Sequence, residues 1–382
     1  MDLFDELSGI PSQTLKIFGP PLANWSKNSY LQIESALDVQ YITGVAINAS
    51  TTYWTAAETG DAFSYITSLW NSSASPNFAT PLVNSFSFGG QEPSSFDDKR
   101  IAVMNKELMK LGAHGITVVA ASGDTGALGL NFRCEGNSET PGYFLPSFPA
   151  TSPYITAVGA TAILGSGPGV QSKRGGSLPP LCKSYACTDP TRAEEIPAIT
   201  HNSQFTSGGG FSAVFSRPKY QESAVATYLQ TPGLAGRFPP SEIWNHSNRA
   251  IPDISTIGQN ILMINGSTVL INGGTSASAP IFAGLLTLVN DFLLHNHKPP
   301  VGFVNPLLYQ MAVECPTCFN RMAESTVGEY EDNCSNALFS CCAPVGFLSA
   351  SVARGRWDPL TGLGSPHLPS ILAYLRQLHN ME

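Results

Sequence analysis

Ile116-Thr117-Val118-Val119-Ala120-Ala121-Ser122-Gly123-Asp124-Thr125-Gly126 is the stretch whose reading decides the fold. Its first six residues are apolar or β-branched with no polar alternation, the habit of a strand covered on both faces in a parallel sheet. The run ends in Ser-Gly-Asp-Thr-Gly, a cluster of turn formers, which puts Asp124 at the carboxyl end of that strand. In open parallel α/β sheets the reactive crevice lies outside that end. Working outward, residues 61–70 and 95–112 read as helices, 81–88 as a strand and 51–56 as extended chain, with a further strand at 154–158. Strands alternating with helices predict an α/β fold: a doubly wound, mostly parallel sheet with helices on both faces. Residues 165–202, rich in Gly, Pro, Ser and Lys, read as a long surface insertion.

Two other segments carry reactive groups. Thr268-Val269-Leu270-Ile271 is a β-rich run that passes through Asn272-Gly273-Gly274-Thr275 into Ser276, and a helix-compatible apolar run follows from Ala277 to Val289. A serine between a glycine turn and a helix start has an exposed hydroxyl, unpaired N–H groups nearby and the positive end of a helix dipole. An acyl-transfer nucleophile and its oxyanion need those conditions, although an N-cap role alone also accounts for Ser276. Residues 29–43 read as an amphipathic helix in which Ile33, Leu37 and Tyr41 recur every four residues. On it Glu34 and Asp38 are four apart, so both carboxylates project from one face. Such a pair is unfavourable on a purely structural helix, but it can share one proton, and so serve as a general base with its orienting partner. None of the seven histidines lies in a motif like that of a Ser-His-Asp hydrolase. A carboxylate base fits better than an imidazole, and it implies an acidic working pH.

Glu-x-x-x-Asp on a helix, Ser-Gly-Asp after a strand and Gly-Thr-Ser-x-x-x-Pro at a helix start, in that chain order, resemble the sedolisin (serine-carboxyl) peptidases. Ala36-Leu37-Asp38-Val39-Gln40-Tyr41, Ser147-Phe148-Pro149-Ala150-Thr151-Ser152-Pro153-Tyr154, Ser207-Gly208-Gly209-Gly210-Phe211-Ser212 and Trp357-Asp358-Pro359-Leu360-Thr361-Gly362 look most like the lysosomal tripeptidyl-peptidase branch. The resemblance runs from about Leu31 to Leu375. It implies a subtilisin-like fold and hydrolysis of peptide or protein substrates through an acyl-enzyme in a lysosome or another acidic or extracellular setting. It implies Ser276 as nucleophile, Glu34 as general base, Asp38 as its orienting residue and Asp124 as the oxyanion aspartate. The family's calcium site falls on Asn320 and Asp358, with Arg354 and Arg356 where relatives have glycines. The lost charge and the added arginines lead to an expectation of weak or absent Ca²⁺ binding. Glu92 stands alone where the tripeptidyl branch has an acidic loop, and is expected to meet a substrate's N-terminal amine.

Composition narrows the remaining choices. With 42% hydrophobic and 13% charged residues the chain can bury a sizeable core, and a net charge of −8 argues against nucleic acid as a partner. No run of 18 apolar residues occurs, so no membrane-spanning helix is expected. The start, Met1-Asp2-Leu3-Phe4-Asp5-Glu6-Leu7, is not a signal peptide, yet sequons occur at Asn24, Asn48, Asn71, Asn245, Asn265 and Asn333, as in a secreted chain. Only 33 residues precede Glu34, which reads as a peptidase domain (1–382) lacking the relatives' prodomain and the first part of the catalytic domain, including its first strand. Of the eight cysteines five cluster near the C-terminus. Disulfides are favoured over zinc, with the pairing left open. The sequence leaves oligomeric state undetermined. Two rivals remain: an inactive sedolisin-like binding protein, and a glycosidase using Glu34 and Asp38, whose i,i+4 spacing is too close to flank a glycosidic bond.

Overall fold

The computed structural model describes residues 1–19, 29–55, 62–73, 80–92, 98–128, 143–164, 194–320, 322, 331, 335–336, 341–342, 346–350 and 356–381. Its centre is a sheet in which strands Ile254–Ile257, Thr156–Leu164, Thr117–Ala121 and Val83–Phe86 lie side by side in that order, all neighbours parallel. The Thr117–Ala121 strand is buried along its whole length, and its side chains divide by period two. Val119 and Ala121 join Val158 and Ile254 in one core, where Ala279, Phe282, Leu286 and Val289 of helix Thr275–His295 cover them. Val118 and Ala120 join Phe86 and Ala157 in a second core, under Ile66 and Leu69 of helix Ala62–Ser73 and Ile101, Met104 and Leu108 of helix Asp98–Ala113. Both faces are therefore covered by helices, as the uninterrupted apolar run requires.

Helix Thr275–His295 is long and apolar enough to cross a membrane by composition, but here it is the core helix lying across the sheet strands. Its closest helical partner is Ser29–Val45, two residues longer at its end than the expected 29–43. The two helices approach at Gly284: a Cβ there would stand 2.7 Å from the Cβ of Val45. The β-rich run before Ser276 is the second arm of an antiparallel hairpin, Ile261–Asn265 with Thr268–Asn272. Gln40 docks this hairpin onto helix Ser29–Val45: its amide donates to Ile264 O at 2.6 Å and accepts from Ile264 N at 2.9 Å, and Tyr41 donates to Leu262 O at 2.7 Å.

A short strand, Leu15–Phe18, precedes the Glu34 helix and pairs in parallel with Thr51–Trp54 in a two-stranded sheet of its own. The expected insertion contributes a strand of its own, Glu194–Pro197, antiparallel to the end of Thr156–Leu164; residues 165–193 lie outside the described residues. Cys315 and Cys318 are joined by a disulfide, in line with the preference for disulfides over zinc. Cys134, Cys182, Cys187 and Cys334 lie outside the described residues, as do Arg354 and the sequon residues Asn24 and Asn333.

Candidate active site

The carboxyl ends of three parallel strands of this sheet build the site, two of them neighbours and the third beyond Thr156–Leu164. Val83–Phe86 ends at Ser87, Thr117–Ala121 runs into Ser122-Gly123-Asp124, and Ile254–Ile257 ends at Gly258, whose carbonyl accepts the N–H of Gly274 at 2.8 Å. Gly274 has φ +136°, a conformation that side chains disfavour, and a Cβ there would lie 2.8 Å from Asp124 Oδ2. Glycine at this point lets the chain turn sharply beside a carboxyl group and start the helix at once. Thr275 then grips Asp124: its N–H and its hydroxyl reach Asp124 Oδ1 at 2.8 and 2.9 Å, while its Oγ1 also accepts the N–H of Gly123 at 3.0 Å. Ser278 and Thr256 exchange hydroxyl-to-carbonyl bonds of 3.0 and 2.9 Å, fixing the first turn to the sheet.

Ser276 sits in that first turn, half-buried, where helix N–H groups have no intrahelical acceptor. Its hydroxyl meets the carboxyl group of Glu34, which is 4% exposed. Burial pushes the Glu34 pKa up to about 7; the Ser276 hydroxyl opposes the shift, and the charge of Asp124 adds to it. One turn along the same helix, Asp38 is raised well above the usual carboxylate range by burial and by the Glu34 charge, against a 2.6 Å bond from Ser87 that holds it down. Asp124 is raised by burial against the pull of the two Thr275 donors. Three carboxyl groups around one serine cannot all ionise cheaply, so the cluster retains protons into the mildly acidic range. No histidine enters these contacts among the described residues.

The remaining predicted residues lie elsewhere. Glu92 is fully buried, and it accepts from Thr151 Oγ1, from Ser212 Oγ at 2.8 Å and from Ala213 N at 2.9 Å. It ties three segments together and is not an open anchor for a substrate amine; that expectation is corrected. Asp358 is also buried, with Oδ2 taken by Ala350 N at 2.6 Å and Oδ1 by the N–H groups of Leu360 and Thr361 at 2.8 and 3.2 Å. Asn320 donates to Ser365 Oγ at 3.0 Å. No cluster of three or more metal-ligating His, Cys, Asp or Glu forms among the described residues. A carboxylate filled with N–H donors does not suit a cation that wants free oxygens, so these residues do not fit a calcium site.

The backbone of Thr206 to Gly208 packs against the Asp124 loop: Thr206 N reaches Asp124 O at 3.1 Å and Gly208 N reaches Gly123 O at 2.6 Å. Sequence reasoning missed Ser87 and Thr275. A lone serine directly after a strand in a parallel sheet was the available signal for the first, and the threonine inside Gly-Thr-Ser for the second.

The site is thus a helix-start serine facing paired carboxyl groups at the carboxyl ends of parallel strands. The chain is 35% identical over 355 residues to physarolisin of Physarum polycephalum, 35% identical over 368 to tripeptidyl-peptidase 1 of Dictyostelium discoideum and 34% identical over 346 to tripeptidyl-peptidase 1 of Homo sapiens. These alignments cover 90%, 95% and 90% of this chain and 57%, 50% and 52% of those proteins, so the chain spans about half the length of the curated relatives it matches. A solved Pseudomonas sedolisin, a serine-carboxyl proteinase complexed with pseudo-iodotyrostatin, shares the fold with a TM-score of 0.69 at 20% identity, over 98% of this chain and 88% of that one. No family model matches. The chain belongs to the sedolisin family, on the side of tripeptidyl-peptidase 1, and its fold is subtilisin-like.

Proposed function

We propose that this chain is the peptidase unit of a serine-carboxyl enzyme that hydrolyses peptide bonds at acidic pH, with tripeptidyl-peptidase-like action on peptide substrates. The observation that carries the reading is the Glu34 carboxyl group facing the Ser276 hydroxyl at a helix start. Glu34 takes the Ser276 proton as Oγ attacks the peptide carbonyl, and Asp38 holds the shared proton that orients Glu34. The developing oxyanion is met by the Ser276 N–H and by a protonated Asp124. Thr275 occupies Oδ1 of Asp124, and Oδ2 receives no donor among the described residues, so Oδ2 is the oxygen to carry that proton. Preorganised donors of this kind contribute about 3–4 kcal/mol each to transition-state stabilisation. Glu34 then protonates the leaving amine, and water repeats the cycle on the acyl-enzyme.

An acidic compartment on the secretory route suits the raised carboxyl groups and the exposed sequon residues Asn48, Asn71 and Asn245. Weak or absent Ca²⁺ binding is part of this reading, since Asp358 is filled by N–H donors. The decisive test is labelling with a serine-reactive fluorophosphonate at pH 5, together with hydrolysis of a peptide carrying a free N-terminus. Labelling and cleavage are expected in the native protein and absent in Ser276→Ala. A native protein that neither labels nor cleaves would return the chain to the rival reading, an inactive binding protein.

A further inference from the structure

Helix Thr275–His295 contains Pro280, and proline has no N–H. The helical partner of the Ser276 carbonyl is the N–H of the residue four further on, so the nucleophile's own carbonyl lacks its intrahelical donor. Ser87 stands in that place. Its hydroxyl lies 3.2 Å from Ser276 O and donates to Asp38 Oδ1 at 2.6 Å. A hydroxyl has one proton to give, and the two acceptors compete for it. When Asp38 is ionised the short charge-assisted bond wins. When Asp38 is protonated, its O–H can donate to Ser87 Oγ, and the Ser87 proton is free to turn to the Ser276 carbonyl.

We propose that Ser87 is a positioning residue that couples the protonation state of Asp38 to the backbone of the Ser276 turn. The inference rests on the serine-carboxyl reading above. The ionisable groups around Asp38 are few. Glu34 lies on its own helix, and Asp124 faces Glu34 from the loop after Thr117–Ala121. The Ile261–Asn272 hairpin carries no ionisable side chain. Asp291 and His295 of helix Thr275–His295 are exposed near its far end. Glu92, further along the Ser87 segment, is committed to Thr151, Ser212 and Ala213. Ser87 is thus the hydroxyl that opposes the rise of Asp38.

The test compares Ser87→Ala, Ser87→Thr and Ser276→Ala in the full chain across pH 3–8. Ser87→Ala is expected to lower kcat roughly ten- to a hundredfold, the worth of one hydrogen bond to a charged group, while KM changes little. Its acidic limb should move up by about one pH unit, and Ser87→Thr should restore both. Carbon-13 titration of the Asp38 carboxyl reads the same coupling without turnover: it moves up in Ser87→Ala and stays put in Ser87→Thr. If Ser87→Ala does not fold, Ser87→Cys, a weaker donor of similar size, should shift the same way. A pH profile and carboxyl titration that superpose on the native ones in Ser87→Ala, or losses equal in Ala and Thr, would overturn the proposal. Turnover that survives Ser276→Ala would overturn the underlying reading instead.

Discussion

At the scale of single residues, the same side-chain type performs opposite tasks according to what surrounds it. Glu34 is buried against a serine hydroxyl and keeps an oxygen, Oε1, with no hydrogen-bond partner among the described residues, so it has capacity left for a proton. Asp358 is equally buried but is saturated by backbone N–H groups, which makes it the fastener of the turn through Gly362. The sequence told the first apart from the second only through motif resemblance, since both are acids beside apolar residues. The difference yields a prediction about calcium. Asp358→Asn puts an N–H where Oδ2 now accepts from Ala350, or loses the acceptor at Oδ1, and in either case strands a buried donor at a cost of about 1–3 kcal/mol. Thermal melts should show Asp358→Asn destabilised equally with and without millimolar Ca²⁺, and the native melting temperature unmoved by the ion. A rise of several degrees with Ca²⁺, abolished by Asp358→Asn, would mean that the turn opens to hold the metal.

At the scale of elements, what was legible was whatever repeats locally. The Thr117–Ala121 strand, the helices over residues 62–73 and 98–113 and the helix of Glu34 announce themselves by period and by their turn formers. Leu15–Phe18 did not, because a four-residue strand with three exposed positions has no pattern to read and is defined by its partner, Thr51–Trp54. The hairpin leading to Ser276 was half seen: Asn265-Gly266-Ser267 was read as a sequon, while the two residues Gly266 and Ser267 are its turn. Ser87 and Glu92 depend on partners 49 to 189 and 59 to 121 positions away, and no local window contains that information. The approach of helices Ser29–Val45 and Thr275–His295 is equally non-local, and it is what brings Glu34 to Ser276. Gly284→Ala adds a methyl group 2.7 Å from Val45 Cβ. Overpacking of this kind costs about 1–3 kcal/mol, and under the proposed mechanism a displacement of Glu34 from Ser276 by a fraction of an ångström lowers kcat further. Urea titration and steady-state kinetics should show both losses together, with kcat falling while fluorophosphonate labelling slows in step. Native kinetics in a destabilised Gly284→Ala would show that the helix spacing does not set the reactive geometry.

At the scale of the whole molecule, six buried or largely buried carboxyl groups, Glu34, Asp38, Glu92, Asp124, Glu195 and Asp358, are all pushed upward with burial as the leading cause. A carboxyl group whose pKa is higher in the folded than in the unfolded chain binds its proton more tightly when folded. Between those two pKa values the native state therefore holds more protons, and the slope of unfolding free energy against pH is negative. The stabilisation is complete below the unfolded value, near 4.5 for Glu34, and is lost as pH rises through about 7. For Glu34 alone a shift of that size corresponds to on the order of 3 kcal/mol. The fold is thus expected to be more stable at pH 5 than at pH 7.5, opposite to a protein held together by ionised salt bridges. Under the proposed mechanism catalysis is expected to move with it, since a protonated Asp124 and a proton shared by Glu34 and Asp38 belong to the same window. Denaturant titrations at pH 4.5, 5.5, 6.5 and 7.5 should give a falling series, and Glu34→Gln, which cannot titrate, should flatten it by removing one contributor. A series that rises toward neutral pH, or a slope unchanged by Glu34→Gln, would mean that these carboxyl groups titrate in the native state as they do in the open chain.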